Sequence, residues 1–206
     1  MKDSKTFWNK SAPRYAKSAI KDEAAYQKKL TVTRGYLQPE SLVLEFGCGT
    51  GSTALLHAPY VKHITATDIS DKMLEIAEQK AKEANIDNVS FQVGSLDTLD
   101  FSKEQFDVIL GLNILHLLED VVGDIGRVYD LLKPGGVFVS STALIDDMNP
   151  AWGLLIPLMQ FFGFAPYVSK LSKQQLVSQL TLTGFKIDYE WQPAKESVFL
   201  IAKKEA

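Results

Sequence analysis

The sequence predicts an α/β fold: a seven-stranded sheet, mostly parallel with one antiparallel strand, and helices on both faces. Three observations carry this expectation. Five β-α units follow one another through most of the chain, and parallel strands need such crossovers. A glycine-rich turn joins the first strand to its helix, the layout of open sheets that bind ligands at their strand ends. Finally, two strand-like runs close the chain with no helix between them, which makes a hairpin and reverses one strand.

Each element has a local cause. Residues 1–38 read as a helical cap, with Phe7, Trp8, Tyr15, Ile20, Tyr26 and Leu30 spaced among charged residues as on amphipathic helices. Pro13 is expected to start or kink one of these helices. Leu42, Val43 and Leu44 form a short buried strand, and a helix follows the glycines to about Ala58. Val61–Thr67, β-branched and alternating, is the second strand, closed by Asp68. Ser70 caps an amphipathic helix over residues 71–82. Val89–Val93 is the third strand, and Phe106–Leu112, apolar almost throughout, is a fourth buried on both faces. A helix over Glu119–Leu132 leads to a tight Lys133-Pro134-Gly135-Gly136 turn of type II chemistry, then the fifth strand at Val137–Ala143. Ser172 opens a helix that Gly184 ends. Phe185–Trp191 and Ser197–Lys203 form the hairpin.

The 206 residues are expected to form a single domain, 1–206, with residues 144–171 as an apolar insertion on the substrate side. Trp152–Val168 carries no charge but is broken by Pro157, Gly163 and Pro166. Three readings of it stay open: core, a lid over an apolar substrate, or a homodimer or membrane-surface patch. The net charge of −3 and the lack of a basic stripe argue against a nucleic-acid partner. One cysteine, Cys48, excludes an internal disulfide and suits a reducing, cytoplasmic compartment. The first residues lack the apolar core of a signal peptide, and no apolar run reaches the roughly 20 residues of a membrane span. A cytoplasmic protein without stable membrane insertion is therefore expected.

The most informative stretch is Val43–Ala54, V-L-E-F-G-C-G-T-G-S-T-A. Gly47, Gly49 and Gly51 alternate, so the G-x-G-x-x-G dinucleotide spacing is not met, and no Lys follows the last glycine as in a phosphate loop. Glu45 stands two residues before Gly47, a poor neighbour for a pyrophosphate and a good one for a cation. This E-x-G-x-G-x-G stretch resembles motif I of the class I S-adenosylmethionine-dependent methyltransferases, whose fold is Rossmann-like. F-W-N-K-S-A-P-R-Y near the N-terminus is similar to the first helix of the ubiquinone- and menaquinone-biosynthesis group, and L-K-P-G-G before the fifth strand strengthens the likeness. The [DNS]-P-P-[YFW] signature of enzymes that methylate amino groups of adenine or glutamine is absent.

The resemblance implies S-adenosyl-L-methionine as cofactor and a small-molecule acceptor. It implies a cofactor site of Glu45, Gly47, Cys48, Gly49 and Gly51 in the loop and Asp68, with Ile69 and Met73, on the ribose side. Ser95 and Leu96 fall at the adenine, Asn113 at the end of the fourth strand, and Tyr15 at the methionine end. Ser95 departs from the Asp usual in the family, so its contact would be neutral and weaker. Tyr15 has a second reading, packing on the sheet. An acceptor that must lose a proton needs a base, and His116 is the candidate catalytic residue, the other reading being packing at a helix start. His57 and His63 are expected to be structural and remote from the strand ends. Cys48, inside the loop, would meet cofactor rather than substrate, so a covalent thiol mechanism is not expected. Asp146, Asp147 and Asn149 could supply oxygen ligands to Mg²⁺, but a solvated loop is the expectation, with no metal. Beside methyl transfer to an apolar or aromatic acceptor stands a second hypothesis, a non-catalytic cofactor-binding regulator or assembly subunit. A third, a nicotinamide oxidoreductase, conflicts with the glycine spacing and Glu45.

Overall fold

The computed structural model describes residues 2–147 and 165–205, with Leu155, Pro157, Met159 and Gln160 between them. Seven strands form one sheet in the order β3-β2-β1-β4-β5-β7-β6. Their ranges are β1 Leu42–Phe46, β2 His63–Asp68, β3 Val89–Val93, β4 Phe106–Leu112, β5 Leu132–Ala143, β6 Phe185–Ala194 and β7 Ser197–Lys204. β1 to β5 pair in parallel, and β7 runs antiparallel to both β5 and β6. The predicted single reversed strand is therefore β7.

The helices are α1 Lys2–Ala16, α2 Glu23–Arg34, α3 Ser52–His57, α4 Asp71–Glu83, α5 Val121–Leu131 and α6 Lys173–Thr183. Side chains alternate across the sheet, as strand geometry requires. Leu44, Ile109, Phe138 and Leu200 pack on one face with Ile125 and Val128 of α5 and Leu176 and Leu180 of α6. Val43, Val108, Leu110, Val139 and Ile201 pack on the other with Ala54 of α3 and Leu74 of α4. Two apolar layers thus sandwich the central strands.

The predicted caps form. Ser70 accepts from Met73 N at 3.1 Å. Ser172 and Gln175 make a reciprocal capping box, and Gly184 ends α6 at φ 107°. Two local expectations are corrected. Pro13 lies inside α1, in its last turn, which removes the helix start from the two alternatives of start or kink. The second concerns the turn before β5. α5 stops at Leu131 and strand pairing resumes at once with Leu132 beside Phe106. Lys133–Gly136 is then a bulge within β5, since the next pair is Val108 with Val137. Gly135 takes φ +78° there, and Lys133 ties the bulge to Asp107 at 2.8 Å. Asp107 also accepts from Leu42 N at 2.8 Å, so one carboxylate joins β1, β4 and β5.

Asp147 of the acid-rich loop accepts from Lys173 N at 3.1 Å, where it complements the start of α6. Asn149 and most of Trp152–Val168 lie outside the described residues, and with them the choice between core, lid and interface. Among the described residues no helix is long and apolar enough to cross a membrane.

Candidate functional site

The glycine loop leaves the end of β1 with Gly47, Gly49 and Gly51 all in the left-handed region, at φ +64°, +55° and +71°. Their surroundings differ. A Cβ on Gly47 would lie 2.5 Å from the Ile114 side chain, and one on Gly51 would lie 2.7 Å from Ala77. Those two glycines serve close packing. A Cβ on Gly49 would meet only the Tyr15 ring, at 3.7 Å. The space over Gly49 is therefore open apart from one aromatic edge, which is where a ligand can lie on bare backbone.

Glu45 is 3 % exposed, and one of its carboxylate oxygens has no hydrogen-bond partner among the described residues. Burial pushes its carboxyl up to about 8, and the negative Asp68 adds to the rise. Asp68 ends β2 and accepts from Gly49 N at 2.9 Å and Ser70 N at 2.8 Å. Its carboxyl is raised by burial, against which these two bonds work. Cys48 N donates to Thr67 O at 2.9 Å, locking the loop to β2. Burial, then Glu45 and Asp68, hold the Cys48 thiol well above its ordinary range, so it is no nucleophile here. Lys80 of α4 reaches back to Thr50 and Ser52 at 2.9 and 3.0 Å and clamps the far end of the loop.

Helix α1 is fastened to this assembly. Ser70 Oγ donates to Asn9 Oδ1 at 2.6 Å, and Asn9 Nδ2 donates to Asp71 at 3.0 Å. Tyr15 is thereby laid beside Gly49 and braced edge-on by Trp8 at 6.1 Å. Its phenol is raised by partial burial, then by Asp68 and Glu45. Nothing in the sequence singled out Asn9. Gly94 N donates to Asp68 O at 2.9 Å and brings the segment after β3 to the same place. There Leu96 is buried, while the Ser95 hydroxyl is within 3.3 Å of Thr98 Oγ1. Ile69 lies between Asp68 and Ser70, and Met73 is buried beneath them at 2 % exposure. The structure thus brings together Tyr15, Glu45, the three glycines, Cys48, Asp68, Ser95 and Leu96.

Asn113, just past β4, takes a left-handed φ of 57°. This is uncommon for a residue other than glycine and marks a constrained strand end. Its N–H donates to Ser141 O at 2.6 Å, and Ser141 Oγ donates to Asn113 Oδ1 at 3.3 Å. Beside this pair opens a cavity of about 320 Å³. Its walls come from α2, from α3 and from the carboxyl ends of β4, β5 and β6. Tyr26 bonds Thr53 across it at 3.2 Å, and Lys29 donates to Ser141 Oγ at 2.7 Å. Sequence reasoning missed this group. Tyr26 and Lys29 share one face of a helix, but a lysine on an amphipathic helix looks like a solvated one. His57 corrects an expectation: it lines this cavity, fully buried, instead of lying remote from the strand ends. Neither ring nitrogen has a partner among the described residues, and burial, then Arg34, lower its pKa to about 4. His63, by contrast, pairs with Ser90 at 2.9 Å.

His116 sits in a short 3-10 turn after β4, where its carbonyl accepts from Ser169 N at 2.8 Å. Its Nδ1 is buried without a partner among the described residues, and burial lowers its pKa to about 4. It does not belong to the lining of the cavity beside Asn113.

Chemically, an unpartnered buried carboxylate wants a cation, and a second carboxylate beside a bare left-handed loop can take hydroxyl donors. A nucleoside bearing positive charge fits both. Comparison with known proteins agrees. A family model for a methyltransferase domain matches residues 43–136. The chain is 32% identical over 173 residues to a demethylmenaquinone methyltransferase of Leptospira interrogans, covering 79% of this chain and 66% of that one. It is 33% identical over 121 residues to the uncharacterized methyltransferase YcgJ of Bacillus subtilis, covering 59% and 46%. The chain thus spans between about half and two thirds of the length of these relatives. The solved structure of YcgJ superimposes with a TM-score of 0.73, covering 87% of this chain and 99% of that one at 18% identity over the superposition. The sequence likeness, on a sheet of this order and a loop of this shape, places the chain in the class I S-adenosylmethionine-dependent methyltransferase family.

Proposed function

We propose that the protein transfers a methyl group from S-adenosylmethionine to a small acceptor with an apolar or aromatic body, by in-line displacement. The observation that carries this reading is Glu45: a buried carboxylate with an oxygen unpartnered among the described residues, directly before an open glycine loop. When bound, the cofactor supplies a methyl group already activated on a sulfonium, so neither metal nor covalent intermediate is required. The protein's part is positioning and exclusion of water. Glu45 neutralises the cationic end. Asp68, held by Gly49 N and Ser70 N, accepts from the ribose hydroxyls, with Ile69 and Met73 lining that side. Leu96 contacts the adenine, and Ser95 gives it a weak neutral bond. Tyr15 covers the methionine end, and Asn113 separates cofactor from acceptor.

The cavity bounded by α2 and the ends of β4 and β5 is the proposed acceptor space. Its walls include Ile20, Leu30, Leu112 and Pro193, which suit an apolar body. The relative named as a demethylmenaquinone methyltransferase supports an aromatic acceptor. His116 stands outside the lining of that cavity, in the turn after β4, so it is the proposed base only for an acceptor whose reacting atom extends past Asn113 to that turn. The negative charge of the chain supports a small molecule over nucleic acid, and the buried lone thiol supports a cytoplasmic setting.

Calorimetry with S-adenosylmethionine and S-adenosylhomocysteine tests the cofactor half: both bind, and binding by neither ends the reading. Turnover is then sought over a panel of phenols, quinones, carboxylic acids, amines and thiols. A second reading, a regulator that binds the cofactor without catalysis, is favoured by one observation. The Ser95 hydroxyl is engaged with Thr98 where the family carries an acid. It predicts binding with no turnover on any acceptor, and robust turnover on one eliminates it.

A further inference from the structure

Among the described residues, Lys29 is the one cation in the wall of the cavity next to Asn113. Its Nζ bonds only Ser141 Oγ, a neutral partner, and no carboxylate lies within ion-pair distance among the described residues. Burial lowers its pKa, against the attraction of Asp22 at the start of α2. Asp22 lines the same cavity but makes no ion pair with Lys29 among the described residues. A half-desolvated ammonium held by a neutral hydroxyl and a more distant charge is costly unless something supplies a closer negative charge. His57 packs behind the same wall, fully buried, and Ser141, the neutral partner of Lys29, lies at the cavity together with Asn113. Tyr26 and Thr53 add hydroxyls, and Asn113 is held in a left-handed conformation at the rim. The position matters too. Asp68 and Gly49 stand at the ends of β2 and β1, whereas Lys29 is bound to Ser141 at the end of β5. In a sheet of this order the cofactor half and the Lys29 half lie on opposite sides of the β1–β4 boundary.

We propose that Lys29 is the anion anchor of the acceptor site, so that the acceptor is an apolar or aromatic molecule bearing an acidic oxygen of the carboxylate or phenolate class, held against Lys29 and Ser141. This rests on the methyltransferase reading and adds the substrate class to it. Lys29 sets specificity by charge: it is a binding residue, and a neutral analogue of the acceptor leaves its ammonium uncompensated.

The test uses matched probes. Salicylate and naphthoate, each beside its neutral amide, are titrated into the protein with and without saturating S-adenosylhomocysteine. The wild type is expected to prefer each acid over its amide by about tenfold, the scale of a charge-assisted bond. Lys29→Met removes that preference, Lys29→Arg keeps most of it, and the affinity for S-adenosylhomocysteine stays within about twofold in both. A thermal melt confirms folding, and Lys29→Gln replaces Lys29→Met if the latter does not fold. No acid preference in the wild type overturns the proposal, as does a preference that survives Lys29→Met. It is also overturned if Lys29→Met weakens S-adenosylhomocysteine at least tenfold while methylthioadenosine, which lacks the amino-acid end, binds as before. That outcome would give the ammonium to the carboxylate of the cofactor. Failure of the wild type to bind either adenosyl compound is a separate result, and it removes the cofactor reading itself.

Discussion

Glu45 holds a proton at neutral pH while no cation is near, because burial and Asp68 push its carboxyl up to about 8. A positively charged ligand reverses that preference, so binding must expel the proton. Calorimetry near pH 7 in buffers of different ionisation enthalpy should read the release of about one proton per S-adenosylmethionine bound, and Glu45→Gln should abolish it. Release unchanged in that variant would show that another group titrates. Asp68→Ala should weaken the cofactor by tenfold or more, since a charge-assisted pair of ribose bonds is lost, at about 1.5–3 kcal/mol each; unchanged affinity would misplace the ribose. His116, lowered to about 4, is neutral from pH 5 upward and so is available to take a proton across the physiological range. If it does, His116→Ala costs about 10²–10⁴ in turnover, with recovery at high pH as the acceptor ionises unaided. A loss of a few-fold with no pH dependence assigns it to packing. At this scale the sequence was legible where residue type and spacing together are unusual: Glu45 before alternating glycines, Asp68 at a strand end. Lys29, Asn9 and His57 were not. Each is an ordinary residue on a helix, and only the tertiary placement of α1, α2 and α3 gives it a partner or a cavity.

Elements were legible where a local signal has one outcome. Ser70, Ser172 and Gly184 each cap a helix at the position their chemistry indicates. The Pro134-Gly135-Gly136 turn was misread because its dihedral requirements are the same whether it separates two elements or bulges within one. Pairing of Leu132 with Phe106 decides the matter, and that is a long-range fact. Within the glycine loop the three positions should separate by experiment. Gly49→Val meets only the Tyr15 ring and the strain of a positive φ, about 1–2 kcal/mol, so the protein should stay folded and lose cofactor binding. Gly51→Val drives a side chain into Ala77 and Phe91 and should destabilise the fold much further. Thermal melts and cofactor titration on the two variants read the difference; equal destabilisation would contradict the packing described for the loop.

For the whole molecule, the sheet and its reversed strand followed from the order of elements, but the cavity did not, since it exists only where α2 crosses the ends of β4 and β5. The buried ionisable groups also give the fold a pH signature. The folded pKa of Glu45, about 8, exceeds its ordinary 4.5. Between those values the folded state holds more protons than the unfolded one, so stability falls as pH rises and levels off above 8. His57 and His116, lowered from 6.5 to about 4, act in the opposite sense: the folded state holds fewer protons, and stability falls as pH drops through that interval. The melting temperature of the unliganded protein should therefore decline from about pH 6.5 to 8. Glu45→Gln should flatten this decline, and saturating cofactor should lessen it. A wild-type profile that rises over the same range would contradict the assignment.

Asn9 grips Ser70 and Asp71, and Ser70 N is itself bound to Asp68. The hook that fastens the N-terminal arm and the seat proposed for the sugar are therefore neighbours on a single bend of chain. A tug on one is felt by the other, so trading a spent nucleoside for a fresh one should keep pace with the lifting of the arm, and loosening the hook should hasten both.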